Sequence, residues 1–381
     1  MKKVISIALT LLMVAVMLPV MAMAAEVTTA EELQTAVANG GEVTLGANIT
    51  ASITIPAGQT VTLNLGAFTL TGDGNHTITN NGTLTVVGTT GKVVNNVGSK
   101  GALFNNVGAI ANLNGGTFEG NTWYVIKNLG TITMNGASVD QKDATSSAID
   151  NGWYGDAAND CGVAYPTDTT SIANLTIISG EFTGGLNIIK NDDFSRLEIK
   201  GGDFYNANGT AVLNWNIAII SGGTFTVTNE GYCVIANGYQ SNNGLKGQLT
   251  ITGGDFTSAN GGGSALFGYG EGAKNGGNLS ITGGNFKGHL PGVGGSPYAV
   301  AITGGKFEDR EGAENYIPSS MKVDENGNVV NRPIIIYNPT EDTPKANDQK
   351  NPGTGANDLV GVAAAMAVVS LLGAAAVIRK K

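Results

Sequence analysis

The chain has 381 residues, with 21 basic and 30 acidic side chains, 57 glycines and two cysteines. A net charge of −9 excludes a surface that attracts nucleic acid or anionic lipid, both of which are themselves negative. Glycine stands at about twice its usual share, yet no Gly-X-Y period occurs, so collagen is excluded and dense turns are the expected cause.

The first 24 residues have the three parts of a secretory signal. Lys2 and Lys3 give a positive start, Val4 to Val20 is almost wholly apolar, and Ala22-Met23-Ala24 offers the small-x-small cleavage site. The stretch is short for a membrane span, which needs roughly 20 apolar residues, so cleavage is expected, with an uncleaved N-terminal helix as the alternative. Thr29-Ala-Glu-Glu32 then forms a capping box, Leu33, Ala36 and Val37 fall on one helical stripe, and Gly40 ends it. This predicts a short amphipathic helix within residues 28–40.

From there to about residue 320 the chain repeats. The phrase apolar-x-Gly-Gly-x-Phe ends at Phe204, Phe225, Phe256, Phe286 and Phe307, with looser copies ending at Phe118, Val139 and Phe182. The spacing is one period of about 21 residues with insertions. A second phrase, an apolar pair followed two residues later by Asn, marks Asn106, Asn128, Asn191 and Asn237, and more loosely Asn151 and Asn214. Each unit holds two or three short alternating runs that read as strands with one face inward, separated by Gly-Gly or Asn-x-Gly turns. A unit so small cannot bury its own apolar face and must stack on copies of itself, about 4.8 Å apart. The Phe column then predicts an aromatic stack, and the Asn column a ladder of amides.

Rung length and these two columns resemble the parallel β-helix of the pectate-lyase-like superfamily. The resemblance implies an all-β, single-stranded, right-handed solenoid over residues 25–320, capped first by the helix. Met321-Lys-Val323 and Val329-Val330 around Asn326-Gly327 predict a closing hairpin in 321–337. Residues 338–354 are polar and carry Pro339 and Pro344, a disordered spacer.

The C-terminus carries Asn351-Pro352-Gly353-Thr354-Gly355, then an apolar run from Leu359 to Ile378, then Arg379-Lys380-Lys381. Pentapeptide, membrane-length helix within 355–381 and basic end, in that order, resemble the sorting signal of Gram-positive sortase substrates. The resemblance implies cleavage between Thr354 and Gly355 and attachment to peptidoglycan, with sortase as partner and membrane contact only through the C-terminal helix before sorting. The commonest family motif begins with Leu, where this chain has Asn351; a plain tail anchor is the alternative. With both signals removed, 16 basic and 29 acidic side chains remain.

Candidate chemistry is sparse. Superfamily members that cleave acidic polysaccharides use basic residues, Ca²⁺ or paired carboxylates. This mature chain has only Arg196, Arg310 and Arg332, and its stacked acids are Glu181 and Asp203, with Asp192 and Asp193 near by. His76 and His289 lie many rungs apart. Asp73-Gly-Asn75 and residues 155–160 fall short of a Ca²⁺ loop. No cofactor or metal is expected, and a bond between Cys161 and Cys233 is left open. The aromatics are better placed: Trp123, Tyr124, Trp153, Tyr154, Trp215 and Tyr232 lie beside the Asn column, as does Tyr239. They form either an outward strip on which sugar rings stack or caps for core corners. The long insertion 152–174 begins on the same side. The expectation is a non-catalytic surface protein, an adhesin, glycan binder or scaffold; the alternative is a wall-anchored polysaccharide lyase or glycoside hydrolase.

Overall fold

The computed structural model describes residues 25–333, apart from 98–99, 155–160, 167–171, 240–246, 260–265, 269–274 and 291–298. The expected signal peptide, spacer, motif Asn351–Gly355 and apolar C-terminal helix lie outside the described residues. Among those described, no helix is long and apolar enough to cross a membrane.

The fold is an all-β parallel solenoid of about ten turns. Each turn contributes one strand to each of three sheets, A, B and C, in that order, and each strand pairs in parallel with its counterpart one turn on. Sheet A has 12 strands, sheet B 11, and sheet C 10, one of which, Asn275–Gly276, is antiparallel. The two or three runs expected per repeat are therefore three. The strands of sheet A alternate strictly, as in Thr60–Asn64 and Thr83–Val87, because one face fills the interior and the other meets water.

The Gly-Gly pairs close the corner between sheets A and B. The second glycine takes a left-handed φ at every copy: 102° at Gly202, 102° at Gly223, 107° at Gly254, 106° at Gly284 and 97° at Gly305. The first is needed for close approach, since a Cβ on Gly222 would stand 2.4 Å from the Lys200 carbonyl oxygen. Two different constraints thus select the same residue twice running.

After that corner the chain turns Phe inward. Phe182, Phe204, Phe225, Phe256, Phe286 and Phe307 are all buried and stack with centroids 4.6–4.8 Å apart and planes within 4–11°. The column continues through Val139, Phe118, Val93, Leu70 and Ile49.

The amide ladder also forms, with one correction. Asn80, Asn105, Asn128, Asn151, Asn191 and Asn214 each end a strand of sheet C, and each Nδ2 donates to the Oδ1 of the next Asn, ending on Asn237, at 2.7–2.8 Å. Asn105, not Asn106, occupies the second position; Asn106 is one residue further on and bonds Asn81 at 2.9 Å. Period-2 alternation is broken there because Phe104, between Leu103 and Asn105, is buried on the outer face. The same amides hold the turn: Nδ2 of Asn128, for example, also donates to the Asn174 carbonyl, and its Oδ1 accepts from Gly130 N.

Both ends are covered. Helix α1, Ala30–Asn39, has the expected capping box at Thr29, ends at Gly40, and buries Leu33 and Val37 on the first turn. The strand Ala25–Val27 before it, unforeseen in the sequence, extends sheet A. At the far end a short helix α2, Arg310–Glu314, precedes the expected hairpin, Met321–Val323 with Val329–Asn331.

Candidate functional site

Sheet C differs from the other two because its outer face is covered from the turn of Phe104 on, after exposed Thr54 and half-buried Thr79. Its outward column runs Phe104, Lys127, Asp150, Lys190, Leu213 and Ala236. Five of these six are buried; Lys190 is the exception and is only partly exposed. Solvated faces do not bury charged residues, which are almost never fully buried unless paired.

The walls come from the two flanking corners. Where sheet B passes into sheet C, His76 stacks on Phe104 at 5.0 Å and on Tyr124 at 6.0 Å, and its Nε2 lies 3.0 Å from the Tyr124 hydroxyl. Where sheet C passes into sheet A, Trp153 packs with Phe104, Leu129 and Ala173, and Cys161, Val163 and Tyr165 close over them. One turn on, Trp215 and Tyr154 meet at a 36° tilt with centroids 5.7 Å apart over Lys190, whose Nζ is 3.1 Å from the Tyr154 ring centre and 4.6 Å from that of Trp215.

Four ionisable groups meet on the floor. Lys127 Nζ is 3.1 Å from Asp150 Oδ2, and Lys190 Nζ is 3.4 Å from Asp192 Oδ1. The carboxyls of Asp150 and Asp192 lie close enough to shift each other's protonation, and Asp150 Oδ1 and both carboxyl oxygens of Asp192 are buried without a hydrogen-bond partner. Burial raises Asp192 well above the usual carboxylate range; the charge of Asp150 adds to this and Lys190 opposes it. Burial pushes Asp150 the same way, but Lys127, Asp192 and Lys190 outweigh it and hold its pKa low. Of the two, Asp192 is therefore the one that takes up a proton first. Phe194, two residues beyond Asp192, is the one described non-glycine residue with a positive φ, 53°, and packs edge-on against Trp153 at 6.3 Å. A bulky residue in that region is strained, and here the strain lies beside the acid pair.

The structure divides the expected aromatic strip. Trp123, Tyr154 and Tyr232 are exposed, whereas Tyr124, Trp153 and Trp215 are buried and do not point outward. The reason is the roofed floor: three of the six rings are consumed in covering it. Tyr232 walls a pocket of about 230 Å³ with Leu186, Asn187, Thr210, Leu213 and Cys233. Ligand pockets for larger molecules run to roughly 300–1,000 Å³, so this one has room for a single ring.

Other candidates are not brought together. Glu181 and Asp203 do stack on adjacent turns at the start of sheet B, both exposed, while Arg196 lies on sheet A and lends its carbonyl to Asn151. His289 pairs with Asp309 at 2.8 Å on the surface. Cys161 and Cys233 carry no disulfide, and no cluster of three metal-ligating side chains occurs among the described residues. The acid pair Asp150–Asp192 is not legible in the sequence because its members are 42 residues apart, across the longest insertion.

Two measurable consequences arise here. Burial, aided by Lys100, lowers the His76 pKa to about 4. A histidine depressed in the folded state gives stability that is complete above its unfolded pKa of 6.5 and is lost as pH falls from there toward 4. The expected loss is up to about 3 kcal/mol, read as a fall in urea midpoint from pH 7 to pH 4 that His76→Gln flattens. Burial also pushes the Cys233 thiol up to about 11. At pH 8 it should resist iodoacetamide in the native protein and react at once in denaturant; equal labelling in both states would refute this.

The architecture is that of a parallel β-solenoid, consistent with the pectate-lyase-like fold. No family model, curated protein or solved structure matches the chain.

Proposed function

We propose that the chain is an exported, wall-anchored surface protein whose solenoid binds a glycan or host surface component without cleaving it. The observation that carries the binding face is the placement of exposed aromatics. Among the described residues four large aromatics are exposed, and Trp123, Tyr154 and Tyr232 all border sheet C, leaving only Tyr205 elsewhere. Ring faces presented to water along one side suit the apolar faces of sugars, and loops inserted on one face of a solenoid are commonly its binding side. The address rests on the sequence alone: the N-terminal signal, Asn351–Gly355, the apolar run and the basic end.

One observation favours the enzymatic alternative, namely the acid pair on adjacent turns. Its geometry counts against hydrolysis by that pair. Glycosidase carboxyls flank a bound sugar roughly 5–9.5 Å apart, whereas Asp150 and Asp192 are buried on the covered floor beside Trp153 and Trp215, out of a sugar's reach.

A glycan array probed with residues 25–354, with mass analysis of every bound glycan, tests the reading. Binding without products, lost in a folded Trp123/Tyr154/Tyr232→Ala variant, is expected; cleavage products would sink the non-catalytic claim. Anchoring is tested by muramidase release of a Thr354-linked wall fragment from the producing cell. Recovery of an intact C-terminus through Lys381 would overturn it.

A further inference from the structure

We propose that Lys127 and Asp150 become joined by an intramolecular amide bond, formed inside the folded chain with Asp192 as its proton donor and shuttle. The three residues meet the chemical demands of such a bond one by one.

Proximity comes from the register. Lys127 and Asp150 are cross-strand partners on adjacent turns of sheet C, and their reacting groups stand 3.1 Å apart. Held so by two rigid strands, they form an intramolecular pair at very high effective concentration. The setting is dry: Lys127 is fully buried and Asp150 and Asp192 nearly or fully so, with Phe104 on one side and Lys190, backed by Leu213, on the other. In such a place an ion pair is costly, because neither charge is solvated by water. Turning the pair into an amide plus a departing water removes that cost permanently.

The third requirement is an acid near the carboxyl, and Asp192 is placed for it: its backbone N–H donates to the carbonyl of Asn151, the residue after Asp150, at 2.8 Å, and its own carboxyl is buried without a hydrogen-bond partner. Asp192 is fixed from three directions: by Lys190, by the strained turn at Phe194, and by Ser195, whose hydroxyl donates to its carbonyl. Lys190 is itself held between Tyr154 and Trp215.

The step balances without any co-reactant. Lys127 gives up a proton to the carboxyl pair, and its Nζ lone pair attacks Asp150 Cγ, forming the N–C bond as the C=O π electrons move to oxygen. Asp192 protonates that adduct. Collapse re-forms C=O and breaks the other C–O bond. The leaving oxygen departs as water carrying two of the three hydrogens of the original ammonium, the third remains on the amide, and Asp192 ends with the proton it began with. Nothing is oxidised or reduced.

The test is mass spectrometry of the full chain as purified. The expected mass is lower than that of the processed sequence by one water, and trypsin should fail to cut after Lys127. Tandem spectra should show a branched peptide linking the Lys127 segment to the Asp150 segment, which separates this product from succinimide formation at Asp73-Gly74. Lys127→Arg should restore the full mass. Asp192→Asn should lower the rate of bond formation in freshly made protein by a factor of about 10² or more, the usual contribution of a positioned acid. If a variant does not fold, the wild-type peptide map alone decides. An unbranched map with cleavage after Lys127, or a branch joining Lys190 to Asp192 instead, overturns the assignment; normal bond formation in Asp192→Asn overturns the role of Asp192.

Discussion

Replacing Asn151 by Ala should cost about 3–5 kcal/mol, as the sum of several lost and orphaned buried groups. The side chain accepts from Asn128 at 2.7 Å and donates to Asn191 at 2.8 Å and to the Arg196 carbonyl at 3.1 Å. Truncation removes all three bonds inside a fully buried column, where each unsatisfied partner costs about 1–3 kcal/mol. Asn128 keeps the Asn174 carbonyl and Asn191 keeps the Ser195 hydroxyl, which caps the damage. The matched control is Asn106→Ala, at the position the sequence pattern selects. It bonds only Asn81 and a neighbouring backbone N–H near the surface, so the expected cost is below about 1 kcal/mol. Urea unfolding of both variants checks the contrast, and equal midpoints would show that no ladder is at work.

Phe225→Ala is the second large effect, expected at about 3–5 kcal/mol. Phe225 lies between Phe204 at 4.6 Å and Phe256 at 4.8 Å, with planes 4° and 5° away. Its removal opens a cavity that neither neighbouring turn can close, because both are pinned by their own hydrogen bonds. Phe225→Leu should cost far less, about 1–1.5 kcal/mol. Earlier turns of the same column carry Val93, Val139 and Leu70 and still close. Unfolding midpoints in which Ala and Leu behave alike would deny the ring stack any special weight.

How much of this was legible follows from how each feature is encoded. The columns were readable because every turn repeats them: Gly-Gly is forced by a left-handed φ and a close approach, and Phe by what lies between them and the core. Where the repeated residue changes type within one physical role, the pattern fades. Ile49, Leu70 and Val93 continue the Phe column, yet only the later turns announce it. Asn106 was chosen over Asn105 because Leu103-Phe104 reads as the apolar pair that precedes the Asn by two, whereas Phe104 belongs to the outer face, which is covered at that turn. The site was much less legible. Lys127, Asp150, Lys190 and Asp192 are four ordinary charged residues whose meeting depends on pairing across a long insertion, and no local spacing shows it. The same roof explains why half of the aromatic strip turned inward.

The buried charges on sheet C also answer a difficulty that regular columns create. A stack of near-identical turns can be assembled wrongly at small cost, since omitting one turn from the pile still sets Phe against Phe and Asn against Asn. The charged column removes that degeneracy. Its order is Lys127, Asp150, Lys190, so leaving out the turn that carries Asp150 would press buried Lys127 against half-buried Lys190. Like charges in a dry interior repel strongly. The native order is thus spelled by sign where shape alone would read the same from turn to turn.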